Sequence, residues 1–189
     1  MPHLLERINM KNFKRTLAAL LAALAAASVS ANPMGKDSGY YGELGYSAIK
    51  FDNGTTNATP KLLRLVVGTN INPNLDAEAA VALTASKGDF DNSSAGGKLS
   101  AKHFGLYAKP KIEIAKDTEL FGRIGVSHTT WKNSDSTGEN SESFTKLAYG
   151  IGVQTQFTKD VYGQVDYMNL GKKDGVSAKG LTFSVGTRF

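Results

Sequence analysis

Histidine next to a hydroxyl side chain can act as the base in ester hydrolysis, and this 189-residue chain has one such arrangement. His128 lies between Ser127 and Thr129 and is followed by Thr130. A hydrolase would need such a nucleophile–base pair to be oriented by a carboxylate. The alternative interpretation is a polar residue at a water–lipid boundary. We favour this alternative and predict no catalytic residues.

Acidic residues cluster in polar segments, but their spacing does not match that of a calcium-binding loop. The chain has no cysteine, which excludes disulfides, thiolate zinc sites and cysteine nucleophiles. It also has no glycine motif for phosphate binding. We therefore predict no metal and no cofactor. The acidic residues in question are Asp89, Asp91, Asp135, Glu139 and Glu142.

The net charge of +5 reflects an export signal more than a nucleic-acid surface. A basic stretch that ends at Arg15 precedes the apolar residues 17–27, and Val29 and Ala31 suit the −3 and −1 positions of a cleavage site. We predict a signal peptide over residues 1–31, with translation starting at Met1 or Met10. Removing it takes away four of 22 basic and one of 17 acidic residues, which leaves 18 and 16, a net charge of +2.

From residue 39 onward, apolar and polar residues alternate with period two, which is typical of strands with two different faces. Eight such segments are predicted. Long polar connections (residues 51–60, 86–99, 130–144 and the shorter 171–177) alternate with tight turns at residues 72–74, 115–118 and 158–160. This layout predicts an all-β, eight-stranded, antiparallel up-and-down barrel over residues 32–189.

The two faces indicate which side of the barrel is inside. One carries large aliphatic and aromatic residues such as Tyr46, Leu147 and Phe183, which suit lipid, whereas the other carries glycines and charges. A soluble barrel or sandwich, the alternative, would have to fit those large residues into a small interior. Charges inside a transmembrane barrel must pair, because an unpaired buried charge is costly. The predicted lumen network is Glu43, Arg64, Glu78, Arg123, Lys146, Asp166 and Arg188.

Several short stretches resemble the OmpA-like, opacity-type outer-membrane β-barrel family of Gram-negative bacteria. Residues 38–46 (SGYYGELGY) are similar to its first strand, residues 67–78 (VGTNINPNLDAE) to its second hairpin, and residues 120–126 (LFGRIGV) to its fifth strand. Residues 149–153 and 157–161 resemble the sixth and seventh strands.

The resemblance implies a location in the cell outer membrane, contact with its lipid and lipopolysaccharide, and a monomeric state. It also implies that the barrel-assembly machinery recognises an insertion signal in the last strand. That signal would comprise Phe183, Val185, Thr187 and the C-terminal Phe189.

Family members brace the membrane, bind surface ligands through their loops or form small pores. We therefore expect a structural or adhesin-like role, with no nucleic-acid partner. A small porin is the alternative, and a lipid-modifying enzyme is a third possibility. Trp131 is the expected loop anchor, at the membrane interface in preference to a partner.

Overall fold

The alternating segments form hydrogen-bonded strands in a computed structural model that describes residues 39–91, 97–135 and 138–189, with the side chain of residue 135 left out. The predicted signal peptide lies outside these residues. Ten strands occur in the described part of the chain. They are β1 (Tyr40–Asp52), β2 (Asn57–Ala58), β3 (Lys61–Asn72), β4 (Leu75–Ser86), β5 (Gly88–Asp91), β6 (Gly97–Ala115), β7 (Thr118–Asp135), β8 (Gly138–Gln156), β9 (Val161–Lys173) and β10 (Val176–Arg188).

Eight long antiparallel strands close into a barrel, as the alternation predicts. Their order is β1-β3-β4-β6-β7-β8-β9-β10, and β10 pairs with β1 to complete the circle. The closing seam runs from the Tyr41–Arg188 pair to the Asp52–Ser177 pair. Closure gives every wall strand a hydrogen-bonded neighbour on each side, as a sheet surrounded by lipid requires.

The period-two pattern assigns the two faces correctly. Outward-facing Leu147 and Phe183 are 60% and 61% exposed, whereas inward-facing Glu43 is fully buried. Small residues on the inner face leave room for the large ones. At Gly152 a Cβ atom would lie only 2.8 Å from Cβ of Asp166 and 2.6 Å from the Val165 carbonyl oxygen.

The tight turns lie at the barrel end that also holds the start of β1 and the end of β10. Residues 73–74, 116–117 and 157–160 connect the strands there. In outer-membrane barrels, which the sequence resembles, short turns face the periplasm and longer connections face the exterior. We therefore name the two ends the periplasmic end and the exterior end.

At the exterior end the predicted long loops are largely strand. The expected loop over residues 130–144 is a hairpin, because β7 and β8 remain paired from Thr118–Thr155 to Asp135–Gly138. The short strands β2 and β5 pair with each other and connect β1 to β6. Pairing of β8 with β9 ends at Tyr149–Asn169, so the outer half of β8 is bonded to β7 only.

Candidate functional site

A layer of ion pairs crosses the barrel interior, centred on Arg123 of β7. Its Nε lies 2.5 Å from Oε2 of Glu78, its Nη1 lies 2.7 Å from Oδ1 of Asp166, and its Nη2 lies 3.0 Å from Oε2 of Glu43. The three carboxylates come from β4, β9 and β1. One guanidinium therefore connects strands on different sides of the barrel.

Two further cations complete this charge cluster, which we define as Glu43, Arg64, Glu78, Lys109, Arg123 and Asp166. Arg64 donates to both carboxylate oxygens of Asp166, at 3.0 and 2.5 Å. Lys109 Nζ lies 3.4 Å from Oε1 of Glu43 and 3.3 Å from Oε1 of Glu78. Three cations thus face three carboxylates, and the cluster is neutral.

Neutral side chains hydrogen-bond the remaining carboxylate oxygens of the cluster. The Tyr41 hydroxyl donates to Glu78 at 2.8 Å, and the Tyr162 hydroxyl donates to Glu43 at 2.9 Å. Gln164 donates to Glu43 at 2.6 Å. Buried ion pairs need such additional bonds to offset the loss of hydration.

The structure separates two members of the predicted network from the rest and adds one that the prediction omitted. Arg188 lies at the periplasmic mouth, where it is partly exposed and 3.8 Å from Glu119. Lys146 has the inward position in the alternation, but it is exposed because β9 no longer pairs with β8 at that level. Lys109 was missed, although it is only 1% exposed.

Above the charge cluster the lumen is mainly apolar, with buried neutral polar side chains such as Ser47, His103 and Thr182, whereas the sequence suggested charges and glycines throughout. Ile49, Leu62, Val66, Met168 and Leu170 form much of this inner core. A cavity of about 30 Å³ remains between this core and the cluster. A water molecule needs roughly 10–15 Å³ by this measure, so the cavity has room for about two.

The two described histidines occupy different sides of the wall. His103 is buried, with Nδ1 3.1 Å from the Thr129 hydroxyl and Nε2 2.7 Å from that of Tyr107. His128 faces outward and contacts the Thr145 hydroxyl at 2.9 Å. Ser127 and Thr129 are buried on the opposite face of β7, away from His128, whereas Thr130 has the same outward parity as His128.

Trp131 packs inside the outer end of the barrel, which contradicts its expected position at the membrane interface. Its ring centroid lies 5.2 Å from that of Phe144 and 5.9 Å from that of Phe51. Trp131 continues the inward-facing series of β7 because the strand extends past Thr130, where the prediction ended it. These rings cover the inner core on its exterior side.

The outer hairpin, defined here as residues 129–135 and 138–144, extends beyond the apolar outer face. Outward residues change from Ile124 and Val126 to His128, Thr130 and Lys132 along β7. Near the tip, Lys132 forms an ion pair with Glu139. Hydrogen bonding from the Lys132 ammonium lowers the pKa of the Glu139 carboxyl below its usual value.

Three of the four members of the predicted insertion signal lie on the last strand. Phe183 and Val185 face outward on β10 and are exposed, and Thr187 is half-buried near the end of the strand. Within the described residues, no group of three or more acidic, histidine or cysteine side chains is arranged to hold a metal ion. That part of the chain also has no helix long and apolar enough to cross a membrane.

Comparison with solved structures shows the same fold. Ail, the attachment invasion locus protein of Yersinia pestis, matches with a TM-score of 0.61 at 24% identity, over 80% of this chain and 99% of Ail. Neisserial surface protein A matches with a TM-score of 0.64 at 16% identity, over 80% and 98% of the two chains. The N-terminal β-barrel domain of Pseudomonas aeruginosa OprF matches with a TM-score of 0.53 at 13% identity, over 78% and 97%.

A search of curated proteins found no significant match. A family model of the outer membrane protein beta-barrel domain, however, matches residues 18–189, which is most of the chain. The closed eight-stranded barrel with an apolar outer face agrees with this match. The chain therefore belongs to the outer membrane protein beta-barrel domain family and resides in the cell outer membrane.

Proposed function

We propose that this outer-membrane barrel is an adhesin-like surface protein that binds a ligand outside the cell. The observation that carries this proposal is the outer hairpin. Seven residues of β7 continue past His128, which corresponds to roughly 20 Å of strand. Residues 138–143 of β8 are all exposed and polar apart from one glycine. A paired hairpin holds such side chains in fixed positions, as a binding surface requires.

The filled lumen supports a surface role over a small diffusion pore. The charge cluster occupies the cross-section on the periplasmic side, and the inner core occupies it above. We infer that these two layers together close the barrel to solutes. The barrel then acts as a rigid scaffold for its outer hairpins.

A sulfated polysaccharide is a reasonable first ligand to test. Ail of Yersinia pestis has been crystallised in complex with the heparin analogue sucrose octasulfate. In this chain Lys98, Lys102 and Lys132 are exposed at the exterior end of β6 and β7. Although Lys98 and Lys132 contact acidic residues, such surface pairs are weak and exchange readily with a stronger anion.

Lipopolysaccharide is the proposed lipid partner at the exterior rim. Lys50 and Lys179 are directly opposite each other on β1 and β10, and both are exposed. Like charges in opposite positions destabilise a strand pair. Lys50 does form an ion pair with Asp52 at 2.8 Å, but such an exposed pair is weak and can exchange with a stronger anion. We infer that a lipid phosphate binds there. Because the barrel closes on itself, we propose that it is monomeric, and that the barrel-assembly machinery is its partner during insertion.

Bacteria that display the protein provide the test of the adhesin-like role. Wild-type cells should adhere to heparin-coated surfaces and to epithelial monolayers more than cells with an empty vector. Replacing residues 133–140 with Asn-Gly should abolish the increase in adherence to epithelial monolayers, because it removes the tip of the outer hairpin and joins Lys132 directly to its partner Ser141. Adherence to heparin should instead be lost when Lys98, Lys102 and Lys132 are all replaced with glutamine, since the shortened hairpin retains these three lysines.

The matched control makes the same Asn-Gly replacement at the other end of β7. Lys116 and Asp117 form the periplasmic turn, and Asp117 already has a positive φ of 60°, so the barrel should tolerate the change. Adherence should then remain at the wild-type level. Equal adherence by wild-type and empty-vector cells on both surfaces would reject the adhesin-like role.

A further inference from the structure

The turn that follows β1 at the exterior end holds the only asparagine–glycine pair of the chain, Asn53 and Gly54. Both residues are exposed to water. The amide carbon of an asparagine side chain can be attacked by the backbone nitrogen of the next residue, which closes a five-membered ring. Glycine hinders this attack least, because it has no side chain. The pair therefore meets the steric requirement for ring closure.

The attacking nitrogen lies next to a base. The Gly54 N–H donates to Oδ1 of Asp52 at 2.8 Å. An amide nitrogen becomes a nucleophile when its proton is removed, and a hydrogen-bonded carboxylate can accept that proton as the new bond forms. Lys50 lies 2.8 Å from the other carboxylate oxygen, Oδ2, so Oδ1 is left to serve Gly54.

The side-chain oxygen of Asn53 accepts three hydrogen bonds. Its Oδ1 accepts from the backbone N–H of Thr55 and Thr56 at 2.9 and 2.8 Å, and from the Thr56 hydroxyl at 3.3 Å. This oxygen acquires negative charge when the amide carbon is attacked, and donors at such distances stabilise that charge, as in an oxyanion hole. The same bonds fold the side chain back over the backbone and bring its amide carbon toward the Gly54 nitrogen.

Two other asparagines make the same side-chain turn, but each lacks a requirement for the reaction. Oδ1 of Asn72 accepts from the backbone N–H two residues further on at 3.0 Å, but the next residue is Pro73, which has no N–H to lose. Oδ1 of Asn169 makes the same bond at 3.0 Å, but the next residue is the buried, branched Leu170. Of these three turns, that of Asn53 alone combines nucleophile, base and oxyanion donors.

We propose that this turn converts Asn53 by itself, through a succinimide. The Gly54 nitrogen forms a bond to Cγ of Asn53, Asp52 transfers the proton of that nitrogen to the side-chain amide group, and the Cγ–Nδ2 bond breaks to release ammonia. Water then opens either carbonyl of the ring, which gives aspartate or isoaspartate. Water is the sole co-reactant. Each conversion adds one negative charge at the exterior end, and none of these steps depends on the adhesin-like role.

The experiment follows the full barrel, folded in detergent micelles and incubated in neutral buffer, by mass spectrometry of its proteolytic fragments. The fragment that contains Asn53 should show the mass increase of an amide-to-acid conversion, with isoaspartate in excess over aspartate. Conversion should be faster than in the same barrel held unfolded in urea, because only the folded turn holds Asp52 and the oxyanion donors in place. Asn72 and Asn169 are internal controls and should remain amides.

Two substitutions test the roles of the neighbouring groups. Asp52→Ser should slow conversion at least about tenfold, because serine can accept the bond from Gly54 but is not a base. Thr56→Val removes the hydroxyl donor and should slow it about two- to tenfold, the range for one neutral hydrogen bond. If Asp52→Ser does not fold, as judged by heat-modifiable migration, Thr56→Val provides the test.

A matched pair of glycine substitutions separates the local chemistry from backbone strain. Gly54 and Gly175 lie in different exterior turns with φ of 90° and 86°, and a Cβ atom at either would meet no described atom within 4 Å. Gly54→Ala should slow conversion several-fold, because the methyl group crowds the attacking nitrogen. Gly175→Ala imposes the same strain and should leave the rate at Asn53 unchanged.

Three results would overturn the proposal. The first is conversion of Asn53 that is no faster in the folded barrel than in the unfolded chain. The second is a product that contains aspartate without isoaspartate, since direct hydrolysis of the amide forms no ring. The third is a wild-type rate in folded Asp52→Ser and Thr56→Val, which would show that the neighbouring groups do not take part.

Discussion

Arg123 and Glu43 are joined across the full width of the barrel, with Nη2 and Oε2 3.0 Å apart. Their strands, β7 and β1, are four positions apart in either direction around the eight-stranded wall, so they are diametrically opposite. Both side chains are buried. The pair therefore stabilises the cross-section of the barrel in a way that hydrogen bonds between neighbouring strands cannot.

Removing Arg123 should destabilise the barrel strongly. Arg123→Met leaves Glu43, Glu78 and Asp166 without their shared partner, and loss of one member of a buried ion cluster costs about 3–5 kcal/mol. The change in the free energy of unfolding is measured by urea titration of the barrel in lipid vesicles, with the folded fraction read from heat-modifiable migration on gels. Arg188→Met is the control and should cost about 0–1 kcal/mol, because its contact with Glu119 is partly exposed. Equal losses for the two variants would contradict the central role of Arg123.

The closed lumen predicts an electrically silent protein. In planar lipid bilayers, the wild-type barrel should produce no steady conductance above that of the bare membrane, because the charge cluster and the inner core both fill the cross-section. Reconstitution is verified in the same sample by protease protection. A large, steady conductance would favour the porin alternative.

The crowded interior predicts different responses at two neighbouring glycines. Gly152→Ala should cost about 1–3 kcal/mol, because the new methyl group would overlap Asp166 and the backbone of Val165. Gly122→Ala is the matched control, since the nearest atom to its new Cβ is Pro110 Cγ at 3.5 Å, an ordinary contact. It should change stability by less than about 0.5 kcal/mol. The prediction fails if both variants unfold at the same urea concentration.

The C-terminal residue should affect assembly in cells more than stability in vitro. We predict that Phe189→Ala lowers the fraction of folded barrel in the outer membrane several-fold, while barrel refolded from urea keeps its wild-type midpoint. Heat-modifiable migration of membrane fractions measures the first quantity. Phe157→Ala, at an exposed phenylalanine in the turn between β8 and β9, should leave assembly unchanged. Similar assembly of both variants would argue against an insertion signal that includes Phe189.

Lipopolysaccharide binding at Lys50 and Lys179 predicts a charge-dependent stability. Lys179→Gln should lower the urea midpoint in vesicles that contain lipopolysaccharide, because it removes half of the cationic pair. In neutral phospholipid vesicles the same change should be neutral or slightly stabilising, since it relieves repulsion from Lys50. Identical behaviour in both vesicle types would reject a phosphate site there.

Period-two alternation was sufficient to predict the fold, because a barrel wall separates two different environments at every strand position. The alternation did not predict where the strands end. Trp131 has the inward parity of Arg123 and Thr129. The polar composition of residues 130–144 suggested a loop, however, so the predicted strand was too short to include Trp131. Residues 130–144 are polar because this part of the hairpin is surrounded by water beyond the membrane, although it is still strand.

The charge cluster illustrates a second limit. The alternation gives both Lys146 and Lys109 inward positions on their strands, but the predicted network included only Lys146. Parity does not give the height of a residue in the barrel or the position at which neighbouring strands separate. Lys146 lies where β8 leaves β9, whereas Lys109 lies at the level of Glu43 and Gln154. Pairing across the lumen depends on this height, which follows from register and not from the sequence of one strand.

The seam between β1 and β10 has a consequence for how the molecule is made. Tyr41 pairs with Arg188, so the first wall strand of the chain obtains one of its two neighbours only from the last. A ribosome or a secretion channel that delivers the chain from its N-terminus cannot complete the wall until the final strand emerges. The wall therefore stays open until β10 is available to pair with β1. Its longest-range contacts form last, and premature termination anywhere before residue 176 leaves no closed barrel to insert.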